Sequence, residues 1–483
     1  MELDLDRCYD ALAARDVRFD GVFFVGVRST GIYCRPICPA RTPYKDRCDF
    51  FRHAAAAERA GFRPCLRCRP ELAPGSATVD AVRRLADLAA ARIEAGALNE
   101  ASLEALAAEF GVGERQLRRA ITQAYGVSPV ELAQTRRLLL AKQLLTESAL
   151  PIAQVAYASG FASLRRFNAL FRARYGLTPT ALRRDGVDAA PDTPLRLRLA
   201  YRPPLAWPQL LAFLGGRGAA GVEAVVDEAY VRTVAIDGHR GWLAVTVLAD
   251  VDALQVEIAP SLLPVLAPLL TRLRALLDLD AQPQAIAQTL NADARLAPVV
   301  ARVPGLRVPG AFDGFELALR AVLGQQITVK AATTLFGRFA AAFGQPIVTP
   351  YPQLTHLSPD PAAIAAAPLQ PLIDLGLTQR RAQTIQTLAS AYVAGSVRLT
   401  PTLDDAAALA ALQAIPGIGP WTAQYIAMRA LRVPDAFPAS DLALCKALGE
   451  VTPKQAEAAS EAWRPWRSYA ALYLWQSQGF AGG

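Results

Sequence analysis

Leu412-Gln413-Ala414-Ile415-Pro416-Gly417-Ile418-Gly419-Pro420-Trp421-Thr422-Ala423 sets Pro-Gly-Ile-Gly between two apolar stretches of helical periodicity. Such a turn reads as a helical hairpin. Its glycines, Gly417 and Gly419, permit close backbone approach, and the amides ahead of the second helix are suited to hold a phosphate. Downstream, Ala436-Phe437-Pro438-Ala439-Ser440 leads into Asp441. By residue type and position alone, Asp441 is suited to cap a helix beginning at Leu442.

Hairpin, proline-containing loop and aspartate in this order resemble the helix-hairpin-helix DNA glycosylase superfamily. Gly324-Gln325-Gln326-Ile327 and Trp466-Arg467-Ser468-Tyr469 with Trp475 extend the resemblance to the AlkA family of bacterial 3-methyladenine DNA glycosylases, over residues 193 to 480. The resemblance implies that Asp441 is the catalytic aspartate, which stabilises an oxocarbenium-like sugar and helps water attack the anomeric carbon. Asp435 is the local competitor, but it lies closer to the hairpin than the family pattern allows. Trp421, Tyr425 and Trp475 match aromatic positions of the family's base pocket, where stacking and cation–π attraction favour an electron-poor alkylated purine. Tyr425 reads equally well as core packing. Gln325 matches a further pocket position. Gln326 stands where the family has an apolar wedge that fills the space left by a flipped nucleotide, so a polar residue here departs from the pattern. Bifunctional relatives carry a Schiff-base lysine two residues past the second hairpin glycine. This chain has Trp421 there, which implies a monofunctional enzyme that leaves an abasic site.

Ahead of this region, Val231–Ile236, Trp242–Val247 and Leu254–Ile258 alternate as strands, with Asp237-Gly238-His239-Arg240-Gly241 as a turn between the first two. Helical text follows from Leu262 to Leu277. His239 is read as a turn residue. Further on, Ala362–Ala367 reads as a short helix between Pro361 and Pro368.

Further toward the start the chain repeats itself 50 residues apart: Tyr125-Gly126-Val127-Ser128-Pro129 returns as Tyr175-Gly176-Leu177-Thr178-Pro179. Leu103, Leu106, Ala107 and Phe110 follow helical spacing, Gly111 breaks the run, and Leu117 and Ile121 mark the inner side of a second helix. In the second copy Ile152, Val155 and Ala156 precede Gly160, followed by Leu164, Phe167 and Phe171. This is a duplicated helix-turn-helix, and it resembles the AraC-type DNA-binding domain. Each second helix is expected to face a major groove. The candidate contacts are Glu114, Arg115, Gln116, Arg118 and Arg119, then Ser163, Arg165, Arg166, Asn168 and Arg172. A role for these helices in protein interaction is the alternative.

Cys34, Cys38, Cys65 and Cys68 form Cys-x3-Cys and Cys-x2-Cys pairs, the spacing of a four-thiolate zinc site. Two disulfides or chance are the alternatives. Gly31-Ile32-Tyr33-Cys34-Arg35-Pro36-Ile37-Cys38 and Gly61-Phe62-Arg63-Pro64-Cys65-Leu66-Arg67-Cys68 resemble the methylphosphotriester-repair domain of Ada-type proteins. The resemblance implies one zinc ion on four thiolates, and Cys34 as acceptor of a methyl group from DNA. Neutralising one thiolate weakens the repulsion of phosphate while Arg35, Arg41, Arg67 and Arg69 stay nearby, so methylation should tighten DNA binding. Cys8, Cys48 and Cys445 do not fit the ligand spacing and read as ordinary reduced cysteines.

With 483 residues the chain has room for three or four domains. Residues 1–187 hold 28 Lys and Arg against 20 Asp and Glu, whereas the remainder holds 23 of each. The whole net charge of +8 thus lies in the front part, which suits a polyanion such as DNA, although a solvated basic surface gives the same count. No apolar run is long enough to span a bilayer, and the acidic start is unlike a secretory signal, so a soluble cytoplasmic protein without a membrane partner is expected. Ala73-Pro74-Gly75-Ser76 and Asp185–Asp192 mark linkers.

The expected architecture is multidomain, mainly α with α+β parts. A zinc-bound methyl-acceptor domain spans 1–75, a double helix-turn-helix 80–184, a small antiparallel-sheet α+β domain 193–300, and a helical helix-hairpin-helix domain 301–483. The expected function is repair of alkylated double-stranded DNA together with regulation at operator DNA, with RNA polymerase as a further partner. A transcription regulator with an inactive glycosylase-like half is the rival reading. A repair enzyme whose front half only recruits it to damage is the third. No Pro-Cys-His-Arg motif occurs, so O6-methylguanine transfer is not expected.

Overall fold

The computed structural model describes residues 4–16, 19–52, 54–70, 80–183 and 193–479. Both linkers expected from turn-forming residues, 73–76 and 185–192, lie outside the described residues. The chain forms two compact units, Met1–Ala89 with Phe110–Ser128, and Ala90–Glu109 with Pro129–Gly483.

The first unit opens on a helix, Leu5–Ala13, whose Asp4 cap accepts the backbone N–H groups of Asp6 and Arg7. A four-stranded sheet follows in the order β3-β1-β2-β4, with β1 Phe24–Val27, β2 Ile32–Cys34, β3 Cys48–Phe51 and β4 Arg63–Pro64. β1 is antiparallel to both β2 and β3, and β2 runs parallel to β4. Cys8, Ala11, Leu12, Phe23, Val25 and Cys48 form its small core, so Cys8 and Cys48 act as compact apolar side chains. Glu114–Tyr125, the second helix of the first helix-turn-helix, belongs to this unit. It buries Leu117, Ala120 and Ile121 and stops at Gly126, whose φ of 73° closes the last turn.

In the second unit the helix Leu103–Glu109 buries Leu106 and Ala107. The 19-residue helix Pro129–Glu147 comes next, then Ile152–Ala158 and Leu164–Tyr175. A five-stranded antiparallel sheet has the order β5-β9-β8-β7-β6, with β5 Leu195–Ala200, β6 Glu223–Val226, β7 Ala229–Ile236, β8 His239–Val247 and β9 Ala253–Ile258. The expected five-residue turn is shorter than the sequence reading gave. Asp237 and Gly238 both have positive φ, at 47° and 79°, and close a two-residue hairpin, so His239 already pairs with Ile236. β5 and β6 are additional strands.

β5 is an edge strand, and its open side is covered. Gln143 on Pro129–Glu147 donates to the Arg198 carbonyl at 2.7 Å, while the Arg198 N–H donates to Glu147 at 2.8 Å. Phe167 and Phe171 share one apolar cluster with Leu197, Val256 and Leu266. The second helix-turn-helix therefore has a core in common with the sheet.

A second cluster fills the all-helical remainder, joining Gly314–Leu323, Gln379–Val393, Pro420–Arg429 and Arg467–Ser477. Pro361–Ala366 is a short helix capped by Asp360, with proline at its first position. Among the described residues no helix is long and apolar enough to cross a membrane.

Candidate functional site

Asp405–Gln413 and Pro420–Arg429 are the two arms of the hairpin. Gly417 has a φ of 94°, and a Cβ there would lie 2.1 Å from Thr384 Oγ1, which itself donates to the Pro416 carbonyl at 2.8 Å. Only glycine fits. Gly419 differs: its φ is −87°, and a Cβ there would have no neighbour within 4 Å. Nothing inside the described protein requires glycine at 419. Gln325 Nε2 donates to the Gly417 carbonyl at 2.9 Å and to Thr422 Oγ1 at 3.0 Å, so its amide nitrogen fastens the hairpin to the end of Gly314–Leu323. Gln326 is exposed, with a φ of 57°, in the tight turn before Val329–Phe343.

Asp441 is half-buried and caps Leu442–Ala447, accepting the N–H groups of Ala443 and Leu444 at 3.0 Å each. Two indoles also converge on it. Trp421 Nε1 donates to Oδ2 at 2.9 Å, and Trp475 Nε1 donates to Oδ1 at 3.0 Å. A cap needs only the backbone contacts; the two indoles hold the carboxylate at a fixed orientation. Asp435 is committed elsewhere, to Arg467 at 2.9 Å and to Arg464.

Trp421 and Tyr425 stack with ring centroids 5.4 Å apart and planes 8° from parallel, and Trp475 lies 6.5 Å from Tyr425. Tyr425 accepts a hydrogen bond from Arg429 at 2.6 Å. Burial raises its phenol, but the charges of Arg429 and Arg217 outweigh this and bring it below the ordinary tyrosine value. Phe213 and Arg217 line a cavity with Trp475. Sequence reasoning missed Phe213, Arg217 and Arg429. The first two lie about 200 residues before the hairpin in apolar text that signals only a helix, although Arg429 stands one helical turn after Tyr425.

In the first unit Cys34 ends β2, and the Cys65 N–H donates to the Tyr33 carbonyl at 3.0 Å, which registers the two cysteine pairs. The four sulfurs lie within 4.8 Å of one another, with Cys38 and Cys65 3.9 Å apart. A tetrahedral zinc–thiolate site has sulfur–sulfur edges of about 3.8 Å, so the donor set fits zinc. Arg35 corrects the sequence reading. Its side chain is buried between Asp20 and Asp80, with Nη1 2.6 Å from Asp80, and it cannot remain free for phosphate. Arg41, Arg67 and Arg69 are exposed.

On the helix-turn-helix elements, Arg115, Gln116, Arg118 and Arg119 are exposed, as are Arg165, Arg166, Asn168 and Arg172. Arg118 pairs with Glu114 at 2.6 Å, and Ser163 caps its helix by accepting from the Arg166 N–H.

Four family models match the chain: the metal binding domain of Ada over 7–71, a helix-turn-helix domain over 106–185, the AlkA N-terminal domain over 196–313, and the HhH-GPD superfamily of base excision DNA repair proteins over 319–468. A probable bifunctional transcriptional activator/DNA repair enzyme AlkA of Mycobacterium tuberculosis is 40% identical over 98% of this chain and 97% of its own length. DNA-3-methyladenine glycosylase 2 of Escherichia coli is 36% identical over 58% of this chain and 97% of its own. A 3-methyladenine DNA glycosylase structure from Archaeoglobus fulgidus shares the fold of the back half, with a TM-score of 0.50 and 21% identity, over 59% of this chain and 98% of that one. Zinc and DNA are thus the metal and the macromolecule for which these domains are built. The chain belongs to the family of bifunctional transcriptional activator/DNA repair enzymes that join an Ada-type zinc-binding domain and a helix-turn-helix to an AlkA-type DNA glycosylase.

Proposed function

We propose that Asp441 is the catalytic carboxylate of base excision and that the enzyme is monofunctional. The observation that carries this is the convergence of both indoles on Asp441 beside a stacked aromatic pair. As the glycosidic bond breaks, positive charge grows on the sugar, and a carboxylate of fixed orientation stabilises it without reorganising. Water then adds to the anomeric carbon. Trp421 offers no amine for a Schiff base, so the product is an unbroken strand with an abasic site. Gly417, Gly419 and the start of Pro420–Arg429 grip the DNA backbone, and Gln326 fills the space of the flipped nucleotide. The test is release of 3-methyladenine from methylated duplex DNA by the intact chain and by Asp441→Asn. The variant should still bind an abasic-site analogue while excision falls by orders of magnitude; excision at the wild-type rate would refute the assignment, and so would borohydride trapping of wild type.

In the front part, one zinc ion is held by Cys34, Cys38, Cys65 and Cys68, where it keeps the sulfurs as thiolates. Cys34 is the methyl acceptor. As a residue it is 9% exposed, against 5%, 7% and 0% for Cys38, Cys65 and Cys68. A sulfur–carbon bond forms as the methyl carbon–oxygen bond of the phosphotriester breaks, and the phosphodiester anion leaves. The exposed faces of the two recognition helices then bind operator DNA, and RNA polymerase is recruited there. Such a protein works in the cytoplasm, beside the chromosome.

A further inference from the structure

Gln326 holds a φ of 57°, a left-handed conformation that strains a residue with a Cβ and persists only where its surroundings enforce it. The peptide plane on one side of this angle joins the Gln325 carbonyl to the Gln326 nitrogen, so a group that fixes the carbonyl also fixes the angle. Arg381 does so. Its Nη2 donates to the Gln325 carbonyl at 2.6 Å from 56 residues away in the chain. Among the described residues no carboxylate pairs with Arg381, whereas Arg464 and Arg467 are both held by Asp435. Its charge is therefore spent on the orientation of one peptide.

Arg381 lies in the first turn of Gln379–Val393, and one turn further on Thr384 donates to the Pro416 carbonyl at 2.8 Å. One helix thus holds two loops at a set spacing, the Gln325–Gln326 turn through Arg381 and the hairpin through Thr384. Gln325 closes the triangle, since its side chain donates to the Gly417 carbonyl at 2.9 Å. Without Arg381 the turn stays fastened to the hairpin by the Gln325 side chain, but its peptide plane is free to rotate. Gln326 then relaxes toward negative φ, and its Cα–Cβ bond points in a new direction.

Flipping a nucleotide out of a duplex costs unstacking and unpairing free energy. A side chain that takes the vacated space offsets part of this cost, and it does so best when no further ordering is needed as it enters. A polar Gln gains less from neighbouring bases than an apolar wedge, so its preset direction counts for more. We propose that Arg381 is a positioning residue for base flipping, which presents Gln326 to the duplex by locking the Gln325–Gln326 peptide. This rests on the assignment of Gln326 to the space of the flipped nucleotide.

The test compares one alkylated base, 7-methylguanine, in a paired duplex and in a single-nucleotide bulge, where no pairing has to be given up. Single-turnover release from both is measured for the full chain and its Arg381→Met, Arg381→Lys and Gln326→Ala variants, and flipping is read from the fluorescence of a 2-aminopurine set beside an abasic-site analogue. Arg381→Met should lose about 10- to 100-fold on the duplex, the range for a hydrogen bond from a charged group, while release from the bulge stays within about threefold. Its 2-aminopurine signal should weaken, and Arg381→Lys should recover part of both losses. An equal fall on both substrates would make Arg381 only a cap on the carbonyls that end Gly314–Leu323, and an undiminished duplex rate would remove its role; either overturns the proposal. So would a loss of affinity for undamaged duplex that matches the loss of rate, since Arg381 would then be a phosphate contact. Should Arg381→Met fail to fold, Arg381→Gln is read by the same ratio. Gln326→Ala checks the reading beneath: a loss confined to the duplex upholds it whatever Arg381→Met does, and undiminished duplex release overturns it.

Discussion

Trp475 donates its indole N–H to Asp441 Oδ1 at 3.0 Å from a helix that follows the aspartate in the chain, and Trp421 does the same to Oδ2 from a helix that precedes it. The carboxylate is thus gripped on both oxygens by side chains that also wall the aromatic pocket. Trp475→Phe keeps an aromatic face and deletes one donor. Excision of 3-methyladenine should fall by about 10- to 100-fold, as loss of a hydrogen bond to a charged group implies. Affinity for an abasic-site analogue should stay the same. A full excision rate in single-turnover assays would show that the indole does not position the carboxylate.

The hairpin, the helix-turn-helix repeat and the cysteine pairs were legible because each is written within a few dozen residues, as turn glycines, helical periods and ligand spacing. β5 was also written locally, in the alternation of Leu195-Arg196-Leu197-Arg198-Leu199, but it is a short run beside a linker. What the text could not show were pairings across the chain. Arg35 counted among the cations that stay near the cysteines; its partners are 15 and 45 residues away. Gln143 and Glu147 carry no local signal, yet they cover the edge of β5. Gln325 carried the family's pocket position, and the structure also gives its amide nitrogen to the hairpin.

The two hairpin glycines should separate in experiment. Gly417→Ala forces a side chain into the left-handed region and against Thr384, and backbone strain alone costs about 1–3 kcal/mol. Hydrogen exchange of the Pro420–Arg429 amides should accelerate by at least the matching factor. Gly419→Ala meets nothing within 4 Å at an ordinary φ, so stability should stay within about 0.5 kcal/mol of wild type. Under the proposed grip of the hairpin on the DNA backbone its DNA affinity should drop, because the added methyl group would stand between Gly419 and phosphate. Unimpaired binding by Gly419→Ala would remove that glycine from the DNA-contacting surface.

Arg35 joins the cysteine cluster to the start of Ala81–Glu94. Its N–H donates to Cys68 Sγ at 3.3 Å, while its side chain bridges Asp20 and Asp80. Arg35→Met removes the buried cation that bridges Asp20 and Asp80, a defect of about 3–5 kcal/mol. Hydrogen exchange in Phe24–Val27 of zinc-loaded protein should accelerate accordingly, since a chain of several domains has no single unfolding free energy. Exchange in β7 and β8, which belong to the other unit, should be unchanged. Wild-type protection in Phe24–Val27 would mean that the buried pairs contribute little.

The methyl-transfer reading makes metal content, residue and charge testable together. The purified chain should carry one zinc ion, and chelation should unfold the region around the four cysteines, because thiolates crowded within 4.8 Å of one another repel without a cation. Two ions, or none with the fold intact, would refute the site. Exposure to phosphotriester-containing DNA should place one methyl group on Cys34, and mass spectrometry that finds it on Cys38, Cys65 or Cys68 would overturn the acceptor assignment. Four thiolates on one divalent ion carry a formal charge of minus two, and the thioether reduces this to minus one. Arg41, Arg67 and Arg69 are exposed nearby in sequence, whereas Arg35 is neutralised by Asp20 and Asp80, so methylation changes the balance felt by phosphate without any new cation. Affinity for duplex DNA should therefore rise on methylation, and the gain should shrink as added salt shortens the range of the thiolate's repulsion. Equal affinities of methylated and unmethylated protein at low salt would leave Cys34 as a repair residue without a switch.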